Sequence, residues 1–396
     1  MSDVLITSRE TRSNGLRRTL ILALGTFAVG TDAFVLAGFL PDLAADLEVS
    51  TAAAGSAVTV FAAGYALGSP VLATVTARAP RRGLLVTALL VLAVANLGSA
   101  LAPTFSILLL TRVLAAVGAA AFTPNAGAVA AALVRPDTRA RALAVVVGGL
   151  TVATALGVPL GNALGQWLGW RTALAGVAAL CLLAAGVAAW VPFVPGSPGV
   201  PLTTRLSVLR DRTVAKVLPL TVLGMAAAYV AYAYAVPALG ALGIGASSIA
   251  WMLCLYGIGA VAGNLVSGYA TDRWGSTRVL TAGYSTMATA LGGMGVLAAT
   301  GTRAPMLVGA LAMAWGAASW CQTPAQQHRL IDAAPQESGL VVALNASGIY
   351  LGIGVGTLLG GLTTDHGATT MFATGTVLAA SALVYLRLTA TATRPV

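Results

Sequence analysis

Charge is scarce in this sequence: 9% of its 396 residues are Asp, Glu, Lys or Arg, while 58% are apolar. Soluble domains carry roughly a quarter charged residues, which excludes water as the main solvent of most of the chain. Lysine is nearly missing, Lys216 being the single example. Cys181, Cys254 and Cys321 stand singly in apolar segments, which excludes a disulfide framework and a thiolate metal site. His328 and His366 each read as isolated loop residues, so neither a metal site nor a histidine-based catalytic pair is predicted. There is no Walker A sequence, and the one imitation of a dinucleotide loop, "GIGAVA" at Gly257, lies within an apolar run with no strand before it. A glycosylation-type "NAS" at Asn345 is also inside an apolar run. These absences argue against an enzyme and against any cofactor.

The 22 basic residues outnumber the 12 acidic ones, but they sit in short clusters between apolar runs. Nucleic-acid binding needs them on one soluble face, so that partner is excluded. The runs themselves are of bilayer length, about 20 residues each. Twelve spans are predicted, at roughly 19–40, 54–77, 83–101, 105–129, 140–164, 170–192, 215–238, 248–270, 278–299, 304–327, 337–361 and 368–388. The Arg-rich start reads as the flank of a first spanning helix rather than a secretory signal, because the apolar run continues past Asp32 without a cleavage site. With both termini cytoplasmic, 19 of the 22 Lys and Arg fall on the cytoplasmic side, as membrane topology requires. Arg171 and Arg303 lie outside, and Arg112 within a span.

The chain repeats itself about its middle. "VTARAPRRGLL" after the second span matches "ATDRWGSTRVL" after the eighth, pairing Arg78 with Arg273, and Gly157 and Gly161 pair with Gly356 and Gly360. The predicted fold is therefore all-α, with 12 transmembrane helices in two pseudo-symmetric six-helix bundles. The predicted order is a cytoplasmic N-terminal segment (1–18), a first bundle (19–192), a Pro-rich basic linker (193–214), a second bundle (215–388) and a tail (389–396). Paired repeats of this kind, with a site between them at the midplane, belong to secondary transporters.

Several motifs resemble the major facilitator superfamily, and within it the twelve-span drug:proton antiporters that include actinobacterial chloramphenicol-resistance exporters. In the first span "GTDAFVLAGFLPDLAADLEVS" matches the opening of that branch, and "GYATDRWGSTR" from Gly268 resembles the family's inner-loop signature. The resemblance implies a gating role for Asp272 and Arg273 and for Arg78 in the first-half copy, although Ala77 and Pro80 there replace the usual Asp and Gly. "TRVLAAVGAA" keeps the fourth-span arginine, Arg112, with Ala115 and Ala116 in place of the usual Gln and Gly. "GVPLGNALG" resembles the fifth-span antiporter motif, and "GWR" at Gly169 follows it. The resemblance implies a multi-pass protein of the bacterial inner membrane, acting as a monomer on a small molecule and on protons. It also implies that Asn125, Tyr229, Tyr232, Trp315 and Gln322 line a central cavity.

The residues support these roles on physical grounds. Gly157, Gly161 and Gly165 form a smooth ridge along a helix, as do Gly352, Gly356 and Gly360, and such ridges let backbones approach and slide. Pro159 adds a bend within the first ridge. The alternative is plain helix packing. Asp32 and Arg112 are the two charges expected deep inside spans, and at 1.5 Å per residue both lie about 10 Å below the outer side. Burial and a neighbouring cation push a carboxyl's proton affinity in opposite directions, a balance that suits reversible protonation. The alternative is a static ion pair. The aromatic residues suit an apolar pocket, or else simply pack the core. A proton-driven exporter of lipophilic or amphipathic compounds is the leading reading. A sugar or metabolite exporter should need more polar cavity residues, and a non-transporting receptor should need a soluble signalling domain.

Overall fold

The computed structural model describes residues 2–135, 139–196, 201–203, 208–334 and 338–390. Of the expected linker, 197–200 and 204–207 lie outside these residues, as does the expected tail from 391 onward. No strand occurs among the described residues, and twelve helices are long enough to span a bilayer. The first half contains α1 (Ser2–Val35), α2 (Thr51–Val75), α3 (Arg81–Ala100), α4 (Phe105–Ala132), α5 and α6 (Trp170–Ala188). Helix α5 has three parts, Arg139–Val152, a π turn at Ala153–Gly157, and Val158–Leu168. The second half contains α7 (Arg212–Tyr232), α8 (Ala246–Trp274), α9 (Ser276–Thr300), α10 (Pro305–Ala333), α11 (Ser338–Thr363) and α12 (Gly367–Ala390).

Ten of these helices fall within nine stretches of spanning length and apolarity, the last stretch covering both α11 and α12. Helices α9 and α10 are as long but diluted by Gly, Thr, Trp and Gln. Glycine is a poor helix former in water, yet here it sits within helix after helix. In a bilayer every backbone N–H and C=O must be satisfied within the chain, which holds even Gly-rich segments helical.

Small residues then decide which helices meet. The ridge Gly157, Gly161 and Gly165 on α5 faces Thr31, Val35 and Phe39, spaced four apart along α1 and just beyond it, and a Cβ at any of the three glycines would strike its opposite side chain. In the second half Gly352, Gly356 and Gly360 on α11 face the backbone of Val222, Ala226 and Val230 on α7. Each ridge therefore binds two helices of one bundle. The bundles themselves join along two seams, α2 with α11 and α5 with α8.

The π turn lies on the second seam. Pro159 has no N–H to donate and its ring crowds the carbonyl one turn earlier, and Val158 N bonds back five residues to Ala153 O. The widened turn brings Ala155 against Gly257 of α8.

The face opposite the termini is sealed. Short helices Leu40–Asp46 and Ala235–Ala241 touch across the halves. Between them the Tyr234 ring enters a notch formed by Gly55 of α2 and Gly361 of α11. Gln166 Nε2 of α5 also donates to Ala246 O of α8 at 3.2 Å.

Two expectations near the tenth span need correction. The tenth span is expected to end near 327 with His328 isolated in a loop, but α10 continues to Ala333 and contains both His328 and Arg329. His328 Nδ1 pairs with Asp332 Oδ2 at 2.9 Å, one helical turn on. Arg329 is buried.

Candidate functional site

Asp32 lies on α1 and Arg112 two turns into α4, and the helix crossing brings them together. Arg112 Nη1 donates to Asp32 Oδ1 at 2.9 Å, and neither side chain reaches the surface. The guanidinium lies 4.9 Å from the ring centre of Phe61 on α2. Neither Asp32 Oδ2 nor Arg112 Nε has a hydrogen-bond partner among the described residues. The contact is single rather than two-pronged, which leaves one carboxylate oxygen without a partner among the described residues. Phe61 in turn lies 6.1 Å, ring centre to ring centre, from Tyr350 of α11. Tyr350 stacks on Tyr65 of α2 with ring centres 3.7 Å apart, so the first seam passes directly beside the pair.

Next to it is an aromatic cluster that joins the two halves. Phe34, two residues beyond Asp32, lies 6.0 Å from the ring centres of both Tyr229 and Trp320. Tyr229 meets Tyr232 at 5.1 Å, Tyr232 meets Tyr256 at 4.5 Å, and Tyr256 meets Trp315 at 4.9 Å. Of the expected cavity residues, Tyr229, Tyr232 and Trp315 thus come together. Gln322 is tied instead to its own helix and to α9, where its Nε2 donates to Ser319 O at 2.9 Å and its Oε1 accepts from Tyr284 Oη at 3.1 Å. Asn125 does not join them. Its Oδ1 accepts from Arg81 Nη1 at 2.6 Å, while Arg81 Nη2 donates to Ala77 O at 2.9 Å.

The loop residues expected to gate are arranged differently from one another. Arg78 is exposed and the neighbouring Arg81 is the buried arginine of that loop. Asp272 and Arg273 are exposed at the end of α8, and among the described residues Arg273 donates to Tyr269 Oη of its own helix, at 3.3 Å. Gly157, Pro159 and Gly161 are placed at the α1–α5 contact and the π turn. On the opposite face Arg171, the last residue of "GWR", bonds Asp46 Oδ2 at 2.7 Å and Ala102 O at 2.8 Å, pinning α6 to the turn after α3.

Sequence reasoning missed Phe34, Tyr256 and Trp320 in the cluster, and Arg329. Arg329 Nη1 donates to Gln326 Oε1 at 3.2 Å, and Gln326 Nε2 to Thr221 Oγ1 at 3.1 Å. Thr221 in turn donates to Asn345 Oδ1 at 2.7 Å, so among the described residues this buried arginine is held by neutral groups.

Two six-helix bundles, joined along two seams around a buried ion pair and sealed at one face, define a polytopic membrane transporter. The sequence profile of the Major Facilitator Superfamily matches residues 22–238 and again 217–396, once for each half. The chain is 31% identical to the uncharacterized MFS-type transporter YbcL of Bacillus subtilis (strain 168) over 348 residues, covering 87% of this chain and 88% of that one. It is 38% identical to the chloramphenicol resistance protein of Streptomyces lividans over 259 residues, 64% of this chain and 66% of that one. Among solved structures, a D-xylose–proton symporter superposes with a TM-score of 0.76 at 18% identity, over 93% of this chain and 96% of that one. The chain belongs to the major facilitator superfamily of membrane transporters.

Proposed function

We propose that this transporter exports small lipophilic or amphipathic compounds in exchange for protons, with Asp32 as the proton carrier and Arg112 as its electrostatic partner. The observation that carries this reading is the one-pronged ion pair: both charges are fully buried, and Asp32 Oδ2 is unpartnered. Intramembrane charges are costly and are usually retained for function. The similarity to a chloramphenicol resistance protein supports efflux as the direction. In this reading 19–192 and 215–388 rock as two bodies about the linker 193–214, with both termini in the cytoplasm. Tyr229, Tyr232 and Trp315 face the substrate, with Gln322 on the same helix as Trp315. Arg78, Asp272 and Arg273 serve the gate on the terminal face, disengaged in this conformation, while Gly157, Pro159 and Gly161 hold α5 against α1.

One proton is enough to drive useful export. The membrane potential supplies about 2.3 kcal/mol per charge per 100 mV, and a pH unit adds about 1.4 kcal/mol. Together these sustain a substrate gradient of a few hundredfold. The test is efflux of a lipophilic antibiotic from cells expressing the protein in an efflux-deficient host. A protonophore should abolish that efflux, and efflux that continues at full rate in its presence would remove proton coupling from the proposal.

A further inference from the structure

We infer that the groove between α8 and α9, on the face that carries the termini, holds one anionic phospholipid, with its phosphate at Arg278 and one acyl chain laid along α10. The groove follows from where the small residues lie. A Cβ on Gly263 of α8 would strike the backbone of Ala317 on α10, and one on Gly283 of α9 would strike Cys321 Sγ of α10, so each helix is drawn onto α10 by its own close contact. Gly275, the one residue between α8 and α9, turns the chain with φ +82°, yet the two helices pack far less on each other than on α10. A channel of about 400 Å³ remains between them, floored by Ala317, Ala318 and Cys321.

Length, lining and charge together define the occupant. The groove runs along α8 from Gly263 to Trp274, about 16 Å at 1.5 Å per residue, which is half of a hydrocarbon core of about 30 Å and so the depth of one leaflet. Its walls are apolar, and Val266 and Ala282 on its two rims are exposed, so it opens sideways to lipid. At the terminal end the lining changes to Trp274 and Arg278, both exposed. Tryptophan is at home at headgroup level. Among the described residues no carboxylate pairs with Arg278, and Asp272 and Arg273 beside it offset each other. Helix α9 also begins here, and Gly275 supplies no side-chain cap for its first N–H groups. A guanidinium and uncapped N–H groups only donate, which matches a phosphodiester. A headgroup that adds its own cation would weaken that attraction, so the net-anionic lipid is favoured.

The test offers the full-length protein in detergent equal amounts of phosphatidylglycerol and phosphatidylcholine with the same acyl chains, and counts bound lipid by native mass spectrometry. One phosphatidylglycerol should stay bound, about fivefold more tightly than phosphatidylcholine, the ratio expected for one basic residue at an anionic headgroup. Arg278→Gln should remove that preference, whereas Arg303→Gln, the same loss of charge at an exposed site on the sealed face, should leave it unchanged. Ala282→Trp, one turn in from Arg278, fills the groove from an exposed position and should remove the tightly held lipid while the arginine remains. Glycerol 3-phosphate, which has the phosphate without the chains, should displace nothing. Equal retention of the two lipids by the parent protein, a preference in Arg278→Gln as large as in Arg303→Gln, a phosphatidylglycerol still tightly bound to Ala282→Trp, or displacement by glycerol 3-phosphate would each overturn the inference.

Discussion

Gly257→Val tests whether the α5–α8 seam must close to its full depth. A Cβ at Gly257 would stand 2.6 Å from Thr154 O and 2.8 Å from Ala155 N, and closer still to Ala155 Cα. Non-bonded atoms settle near 3.5–4.0 Å, so the helices would have to part by about 1 Å. The obstructing atoms are backbone and cannot rotate aside. Overpacking of this kind costs about 1–3 kcal/mol, which lowers the closed seam's population relative to the open one by about 5- to 150-fold. The assay is disulfide formation between cysteines placed at Gln166 and Ala246, which already touch across this seam, after replacement of Cys181, Cys254 and Cys321. Crosslinking should be slower in Gly257→Val than in the parent, by up to that ratio. Gly268→Ala, in the same helix, is the control, because a Cβ there meets nothing within 4 Å. Crosslinking of Gly257→Val at the parental rate would refute the reasoning.

Asp32→Asn should abolish gradient-driven export, and because it strands a buried guanidinium as Arg112→Ala strands a buried carboxylate, each single variant should cost about 3–5 kcal/mol of stability, read as a lower yield and melting temperature. The double variant should recover the yield without recovering export, and energised export from it would show that Asp32 is not the carrier. At the linker, Asp211 Oδ1 accepts from Thr213 N at 2.7 Å and Val214 N at 3.2 Å, and these backbone bonds hold its carboxyl below the ordinary value. The cap is therefore complete above pH about 4 and lost as pH falls through the lowered value, so Asp211→Ala should destabilise by about 0.5–1 kcal/mol at pH 7 and progressively less in acid; a thermal-unfolding difference that grows in acid would contradict this.

Much of the fold was readable because apolar run length maps directly onto bilayer thickness, and α5, interrupted by Pro159, still reads as one span. The pairing of Asp32 with Arg112 was also accessible, since rise per residue converts sequence position into depth. Which way a side chain faces was not. In helices apolar on every side no periodicity separates cavity from lipid, so Asn125 was grouped with the aromatic residues while Tyr256 and Trp320 were passed over. Arg329 is hidden for a different reason: the polar run Gln326 to His328 reads as the end of the span, yet the helix continues to Ala333 and buries Gln326 and Arg329. Gly257 looked like a failed nucleotide motif, and its use became visible only when Ala155 was found opposite it.

The two seams differ in what they allow to vary. Along α5 and α8 backbone meets backbone at Gly257, where any larger residue is excluded by atoms that cannot yield. Along α2 and α11 the contact is the Tyr65 and Tyr350 rings, which pack face to face, and another flat ring would fill either place nearly as well. Drift in this lineage therefore has a wide passage on one side of the molecule and a narrow one on the other. Natural variants should exchange aromatic types freely at 65 and 350, and at 257 should keep the one residue that has no side chain.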